Sequence, residues 1–130
     1  MNDAAEILTY IAPVFRVADI SRSLSFYRDQ LGFGVDFVFE AFYAGVSRDG
    51  CHIHLKNSAP APRDQTAFEL AEHIDACLGV SGVEQLSASF VAAGVPFVVP
   101  LRRQPYGTEF YVRDPDGYVL GFVESAPTPG

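Results

Sequence analysis

Tryptophan is absent from this chain, lysine occurs once, at Lys56, and cysteine only at Cys51 and Cys77. No apolar run reaches the roughly 18 residues of a membrane-crossing helix. The opening MNDAAEILTY lacks a basic start followed by an apolar stretch, so no secretory leader is read there and the cytoplasm is the expected compartment. The cysteines form neither a CxxC pair nor a zinc-finger spacing, and each sits in an apolar stretch, so both are expected to be small buried hydrophobes. A disulfide satisfies the arithmetic, but the expected compartment argues against it. Nine basic residues face sixteen acidic ones, for a net charge of −7. That balance repels phosphate backbones and excludes nucleic acid as an expected partner; it serves solubility and would also suit a cationic ligand. GxSxG, P-loop, GxGxxG and HExxH motifs are all missing, and no Ser/His/Asp spacing speaks for nucleophilic catalysis.

What remains is rich in core-formers: 48% of the 130 residues are apolar, including eleven phenylalanines and six tyrosines. That suits one domain, or two very small fused modules sharing a core. Tyr10–Val17 reads as a strand, which Pro13 confines to an edge or leaves unpaired at that position. Asp19 or Ser21 caps a helix whose face is Ile20, Leu24, Tyr27 and Leu31, with Gly32 at its end. Strands follow at Gly34–Phe39, Phe42–Ser47 and Cys51–Lys56, the last two joined by Arg48-Asp49-Gly50. The stretch Asn57–Thr66 reads as a linker.

The pattern then restarts. His73–Val80 reads as a strand, and Val83, Leu86, Phe90 and Val91 mark a helix face ended by Gly94. Pro96–Pro100, Thr108–Arg113 and Tyr118–Glu124 read as strands, with Asp114-Pro115-Asp116-Gly117 as a turn. Val17-Ala18-Asp19-Ile20 aligns with Val80-Ser81-Gly82-Val83, Leu31-Gly32-Phe33 with Ala93-Gly94-Val95, and Gly50–Leu55 with Gly117–Phe122. The expected organisation is one domain: module one over residues 8–57, a linker over 58–70 and module two over 71–125. A repeated unit this short buries its sheet face only against its twin or a second chain, so a homodimer is expected.

The stretches Val17-Ala18-Asp19-Ile20 to Leu31-Gly32-Phe33, Ala92-Ala93-Gly94-Val95 and Tyr111–Tyr118 together resemble the glyoxalase/bleomycin-resistance/dioxygenase (vicinal oxygen chelate) superfamily, over residues 10–124. The resemblance implies an α+β fold: two βαβββ modules whose curved mixed sheets surround a cleft, commonly in a dimer. It does not fix function, because that family includes metal-dependent isomerases, dioxygenases, thiol transferases and drug-sequestering proteins.

Metal-using members of that family draw ligands from the first and last strand of each module. Counting from the motifs puts those positions at Ala12, His54, Asp75 and Gly121. Ala12 and Gly121 carry no donor atom, so no metal site and no cofactor is expected, and a hollow should lie where an ion would sit. Glu124 faces away from Gly121 in an alternating strand and does not substitute.

Other candidates follow from alternation. His52 and His54 should face the cleft while Ile53 and Leu55 face the core. Tyr43, Tyr106, Phe110 and Tyr111 are candidate walls for a planar ligand, Tyr111 facing inward if Phe110 and Val112 pack on the helix. Arg102 and Arg103, in a loop before the seventh strand, could clamp an anion. Arg16 needs a partner if it points inward, with Asp75 or a ligand anion as candidates. The expected ligand-binding set is therefore His54, Asp75, Tyr43, His52, Tyr106, Tyr111 and Arg103. The expected function is metal-free binding and sequestration of an antibiotic or planar metabolite, as in the bleomycin-resistance branch that the chain resembles. A metal-dependent lyase, isomerase or dioxygenase, and a regulatory module with a filled cleft, are the alternatives.

Overall fold

The computed structural model describes residues 5–127. The first four residues of the stretch read as carrying no leader lie outside the described residues. Two four-stranded mixed sheets are built from successive halves of the chain. The first has the order β1-β4-β3-β2, with β1 Val14–Val17, β2 Gly34–Phe39, β3 Tyr43–Arg48 and β4 Cys51–Asn57. The second has the order β5-β8-β7-β6, with β5 Ala76–Gly79, β6 Phe97–Gln104, β7 Gly107–Arg113 and β8 Val119–Ser125. In each half the first strand pairs parallel to the last, and the remaining pairs are antiparallel. This is the α+β arrangement that the family resemblance implies.

β1 is an edge strand, and Pro13 lies just outside it, its carbonyl accepting from the His54 N–H at 2.9 Å. Helix α1, Ile20–Ser25, is capped by the Asp19 carboxylate, which accepts from the Arg22 N–H at 3.1 Å. It continues through a π-turn, Phe26–Gln30, before Gly32 ends it at φ 76°. The widened turn brings Phe26 onto the buried face beside Tyr27 and Leu31, which the spacing of four, three and four did not include. Helix α3, Val83–Ala92, buries Val83 and Phe90, but Val91 is turned out to solvent, against expectation. At eight residues past Val83 it has rotated beyond the seam that Phe90 still reaches.

Several boundaries and two environments differ from the sequence reading. Helix α2, Gln65–Leu70, forms inside the stretch read as linker, its start capped by the Asp64 carboxylate at 3.0 Å from the Ala67 N–H. β5 begins only at Ala76, and β6 runs on to Gln104, so Arg102 and Arg103 lie in a strand and not in a loop. Cys51 and Cys77 are exposed free thiols, not buried hydrophobes: Cys77 alternates away from Ala76 and Leu78, and Cys51, although on the face of Ile53 and Leu55, opens β4 beside the β3–β4 turn, beyond the packed part of that face.

The two halves are joined back to back. One continuous core takes Phe15, Val17, Tyr27 and Leu55 from the first half and Phe90, Phe110, Val112 and Phe122 from the second. Phe90, Phe110 and Phe122 stack or meet edge to face at 5.1–5.7 Å between ring centres. The turn between β7 and β8 docks on the β1–α1 corner. Asp116 accepts from the Ala18 N–H at 3.0 Å and pairs with Arg22 at 2.9 Å. Tyr118 stacks on Phe15 at 4.3 Å. Fully buried Tyr27 donates its hydroxyl to Asp114 at 2.8 Å, and Asp114 also accepts from the Asp116 and Tyr118 N–H groups.

Burial pushes the Asp114 carboxyl up from its ordinary 3.8 to about 6, outweighing those donors. A carboxyl raised on folding favours the native state in its protonated form. Its contribution is complete below the unfolded value and is lost as pH rises through the folded one, a change of about 3 kcal/mol. Between about pH 3 and 7 the wild type should therefore lose urea stability relative to Asp114→Asn, by up to that amount. Parallel stability curves for the two proteins over this window would remove the assignment.

Candidate functional site

The two sheets differ on the faces turned away from the shared core. On the first, alternation sends Ile53 and Leu55 inward and leaves His52 and His54 on the outer face, half-buried. Across the ladder Gly45 lies opposite His54 and Ser47 opposite His52. Gly45 matters here because the Phe37 ring lies directly over it, in the space a Cβ would occupy. Phe37 then sits near-parallel to Tyr43 at 6.1 Å and edge-on to His54 at 5.4 Å. The Tyr43 hydroxyl is hydrogen-bonded to His54 Nδ1 at 2.9 Å, which fixes the imidazole plane and leaves Nε2 as its remaining polar atom. Tyr10, from the extended segment before β1, covers His52 at 4.7 Å and His54 at 5.6 Å.

A polar edge borders these rings. Asp36 accepts from the Ser47 hydroxyl at 2.9 Å and lies 3.5 Å from His52 Nδ1. The result is an open platform of Tyr10, Phe37, Tyr43, His52 and His54 with one carboxylate at its rim. Three of the residues singled out from sequence, Tyr43, His52 and His54, meet here. Tyr10, Phe37 and Asp36 were missed. Phe37 and Asp36 sit at a β-bulge between Val35 and Phe37, which breaks the simple alternation any pattern reading relies on. Tyr10 was read as part of the first strand, but that strand begins only at Val14.

The outer face of the second sheet is covered by its own chain. Residues 63–75, including α2, cross it as a strap. Phe68 and Ile74 pack on Val99, Tyr111 and Val119, forming a second small core. Ion pairs surround this seal. Arg63 holds both Asp75 oxygens at 2.8 and 3.0 Å, and Asp75 also accepts from the Val119 N–H. Arg113 binds Glu69 at 2.6 Å, and Arg102 bridges Glu72 and buried Glu109 at 2.7 and 2.9 Å. These arginines hold the Glu69 and Glu72 carboxyls below the usual carboxylate range.

The remaining sequence candidates therefore lie away from the platform. Tyr111 does face opposite Phe110 and Val112, as alternation requires, but it is 8% exposed under the strap. Asp75 is part of the strap's anchoring. Tyr106 is half-exposed at the β6–β7 turn, and Arg103 is exposed on β6 opposite Thr108. Arg16 does not meet Asp75; its guanidinium holds the Ala59 carbonyl instead.

The hollow expected at Gly121 is filled. A Cβ there would lie 3.1 Å from Ile74 Cδ1 and 3.2 Å from Tyr111 Cε1. The four positions counted as metal ligands do not suit an ion within one chain. Ala12 and Gly121 offer no donor and Asp75 is committed to Arg63. Among the described residues, no three His, Cys, Asp or Glu side chains converge.

If the strap is as tightly seated as these distances imply, Gly121→Ala should destabilise the fold by ~1–3 kcal/mol, the range typical of overpacking. Ile74→Val removes the methyl at closest approach and should recover part of that loss in the double variant. Strict additivity in denaturant melts would show that Ile74 is not the obstructing group.

A family model described as the Glyoxalase/Bleomycin resistance protein/Dioxygenase superfamily matches residues 7–122. No curated protein matches the chain. Among solved structures, it is similar to the bleomycin-binding protein from bleomycin-producing Streptomyces verticillus, complexed with copper(II)-bleomycin. That likeness has 26% identity, 95% of this chain and 100% of that chain covered, and a TM-score of 0.69. It is also similar to a glyoxalase-related enzyme from Clostridium phytofermentans, with 18% identity, 95% and 100% coverage and a TM-score of 0.73. A glyoxalase/bleomycin resistance protein/dioxygenase from Alicyclobacillus acidocaldarius has 15% identity, 91% and 92% coverage and a TM-score of 0.78. With the model spanning nearly the whole chain and the two-sheet fold matching, the chain belongs to the glyoxalase/bleomycin resistance protein/dioxygenase superfamily.

Proposed function

We propose that this protein binds and sequesters a planar antibiotic or metabolite on the outer face of the first sheet, without a catalytic metal. The observation that carries this reading is the platform itself. Five ring side chains, Tyr10, Phe37, Tyr43, His52 and His54, share one open face, while of the four positions an ion would need, Ala12 and Gly121 carry no donor and Asp75 is held by Arg63. Flat π surfaces hold flat guests and tolerate variation among them. The carboxylate of Asp36 at the rim, and the net charge of −7, favour a guest with positive charge. The likeness to a bleomycin-binding protein at 26% identity adds support of the same kind.

The platform belongs to a homodimer in this reading. Ile7, Leu8 and Ile11 are each close to fully exposed, and Val14, Phe39 and Phe42 of the same half are about half-exposed. This many exposed large apolar side chains in one half of a small chain suit an interface. A second copy laid over it would turn an open platform into a walled cleft of the kind small molecules occupy.

The protein should sediment as a dimer at micromolar concentration. Titration with bleomycin and with planar cationic antibiotics should quench tyrosine emission saturably, and Tyr43→Leu should weaken the tightest complex by about tenfold or more, the loss of one stacking partner and one hydrogen bond. Metal analysis of protein purified without chelator separates the enzymatic alternative. Stoichiometric zinc, nickel, manganese or iron that is lost in His54→Ala, with turnover of a substrate, would replace sequestration by metal-dependent catalysis.

A further inference from the structure

The pseudo-symmetry of the two halves is broken at one junction, and the break leaves a cleft. On one side of the molecule, the β7–β8 turn reaches the β1–α1 corner and closes it with Asp114, Asp116 and Tyr118. On the other side, the β3–β4 turn faces the equivalent β5–α3 corner, Val80-Ser81-Gly82-Val83. This turn has only Asp49 and Gly50 between its strands, whereas residues 114–118 separate β7 from β8. The shorter turn does not reach. A cleft of about 560 Å³ remains between the halves, within the size range of small-molecule sites.

The chemistry of its walls is amphipathic. Buried Phe33, Phe90 and Phe122, with partly buried Leu78 and Leu86, supply apolar surface. The rim carries Arg48, Ser81 and Gln85. Arg48 uses Nη1 on the Leu31 carbonyl at 2.7 Å, while its nearest carboxylate, Asp49, stays at 3.9 Å, beyond hydrogen-bond reach. Its other donors are therefore available. At the closed junction the Ala18 N–H meets Asp116; its counterpart, the Ser81 N–H, meets no carboxylate among the described residues. The α3 start itself is already satisfied, since Glu124 accepts from Gly82 and Val83 at 2.8 and 2.9 Å. Arg48 is thus the one cationic side chain lining the cleft, set at the mouth of an aromatic and aliphatic floor.

The geometry points to a second ligand site in this inter-module cleft, for an amphipathic monocarboxylate with a short acyl or aryl body. The carboxylate takes the position that Asp116 occupies at the twin junction, held by the forked guanidinium of Arg48 and the Ser81 N–H. The apolar body lies on Leu78, Leu86, Phe90 and Phe122. This site is separate from the aromatic platform and does not depend on what the platform binds.

Octanoate is a suitable probe, with 1-octanol as its neutral counterpart, followed by backbone amide shifts of the full-length protein. Octanoate should give saturable shifts at Gly79, Ser81, Gly82 and Cys51 and bind at least tenfold tighter than octanol. Arg48→Met should erase that preference while leaving octanol unchanged. Because Arg48 also holds the Leu31 carbonyl, Ser89→Trp serves as a second variant: it fills the cleft from exposed α3 surface and should abolish octanoate binding. Equal affinity for acid and alcohol would overturn the proposal. So would shifts centred on Tyr43 and His54, no saturable binding, or octanoate affinity unchanged in Ser89→Trp.

Discussion

The buried carboxylate of Asp114 organises the junction on which the rest of the molecule is arranged. One oxygen accepts two backbone N–H groups of its own turn, which gives the turn its shape; the other takes the Tyr27 hydroxyl from the opposite half. A four-stranded sheet with one helix is too small to bury its apolar face unaided. Here each half supplies the cover for the other, and Asp114 and Asp116 fix the angle at which they meet. Joining the halves through their helix-bearing faces turns both remaining sheet faces outward. The location of every candidate site follows from that geometry.

The two outward faces then meet different fates, for reasons that lie in a dozen residues of connecting chain. Residues 63–75 contribute two apolar groups, Phe68 and Ile74, two acids, Glu69 and Glu72, that pair with arginines of the second sheet, and an internal Arg63–Asp75 pair. Bidentate arginine–carboxylate contacts are directional as well as attractive, so they seat the strap in one register. Among the described residues nothing comparable crosses the first sheet, where Tyr10, from the segment before β1, covers the histidines. An internal duplication has been differentiated: one half is sealed with its own chain, and the other keeps its rings available.

Much of this was legible in the residues. The order of elements, the glycines ending α1 and α3, the edge position imposed by Pro13, and the facing of His52 and His54 all follow from local chemistry or strict alternation. What escaped depends on departures from periodicity or on contacts distant in sequence. The π-turn added Phe26 to the core, and the bulge near Phe37 moved a ring onto the platform; neither leaves a trace in a count of threes, fours or twos. The first part of the strap was read as linker and its end as strand, because its stretch opens with Pro, Ala and Ser and its glutamates find partners only once the second sheet exists. Asp75 was singled out for its position and turned out to be held by Arg63. The empty side chain at Gly121 suggested room, but room in a strand is filled by whatever neighbour can reach it, here Ile74.

The strap also gives the two halves unequal protection during synthesis. The second sheet is emitted directly behind the segment that covers it, so its outer face closes as soon as its own strands pair. The first sheet leaves the ribosome earlier and has no such cover, with its row of rings and the apolar segment around Ile7–Ile11 facing water. Its core-facing side must wait for Asp114 and Tyr118, which are made after the whole of the first sheet. The bare half is thus the one that spends longest unpartnered, which makes it the portion of this chain most exposed to aggregation before folding is complete.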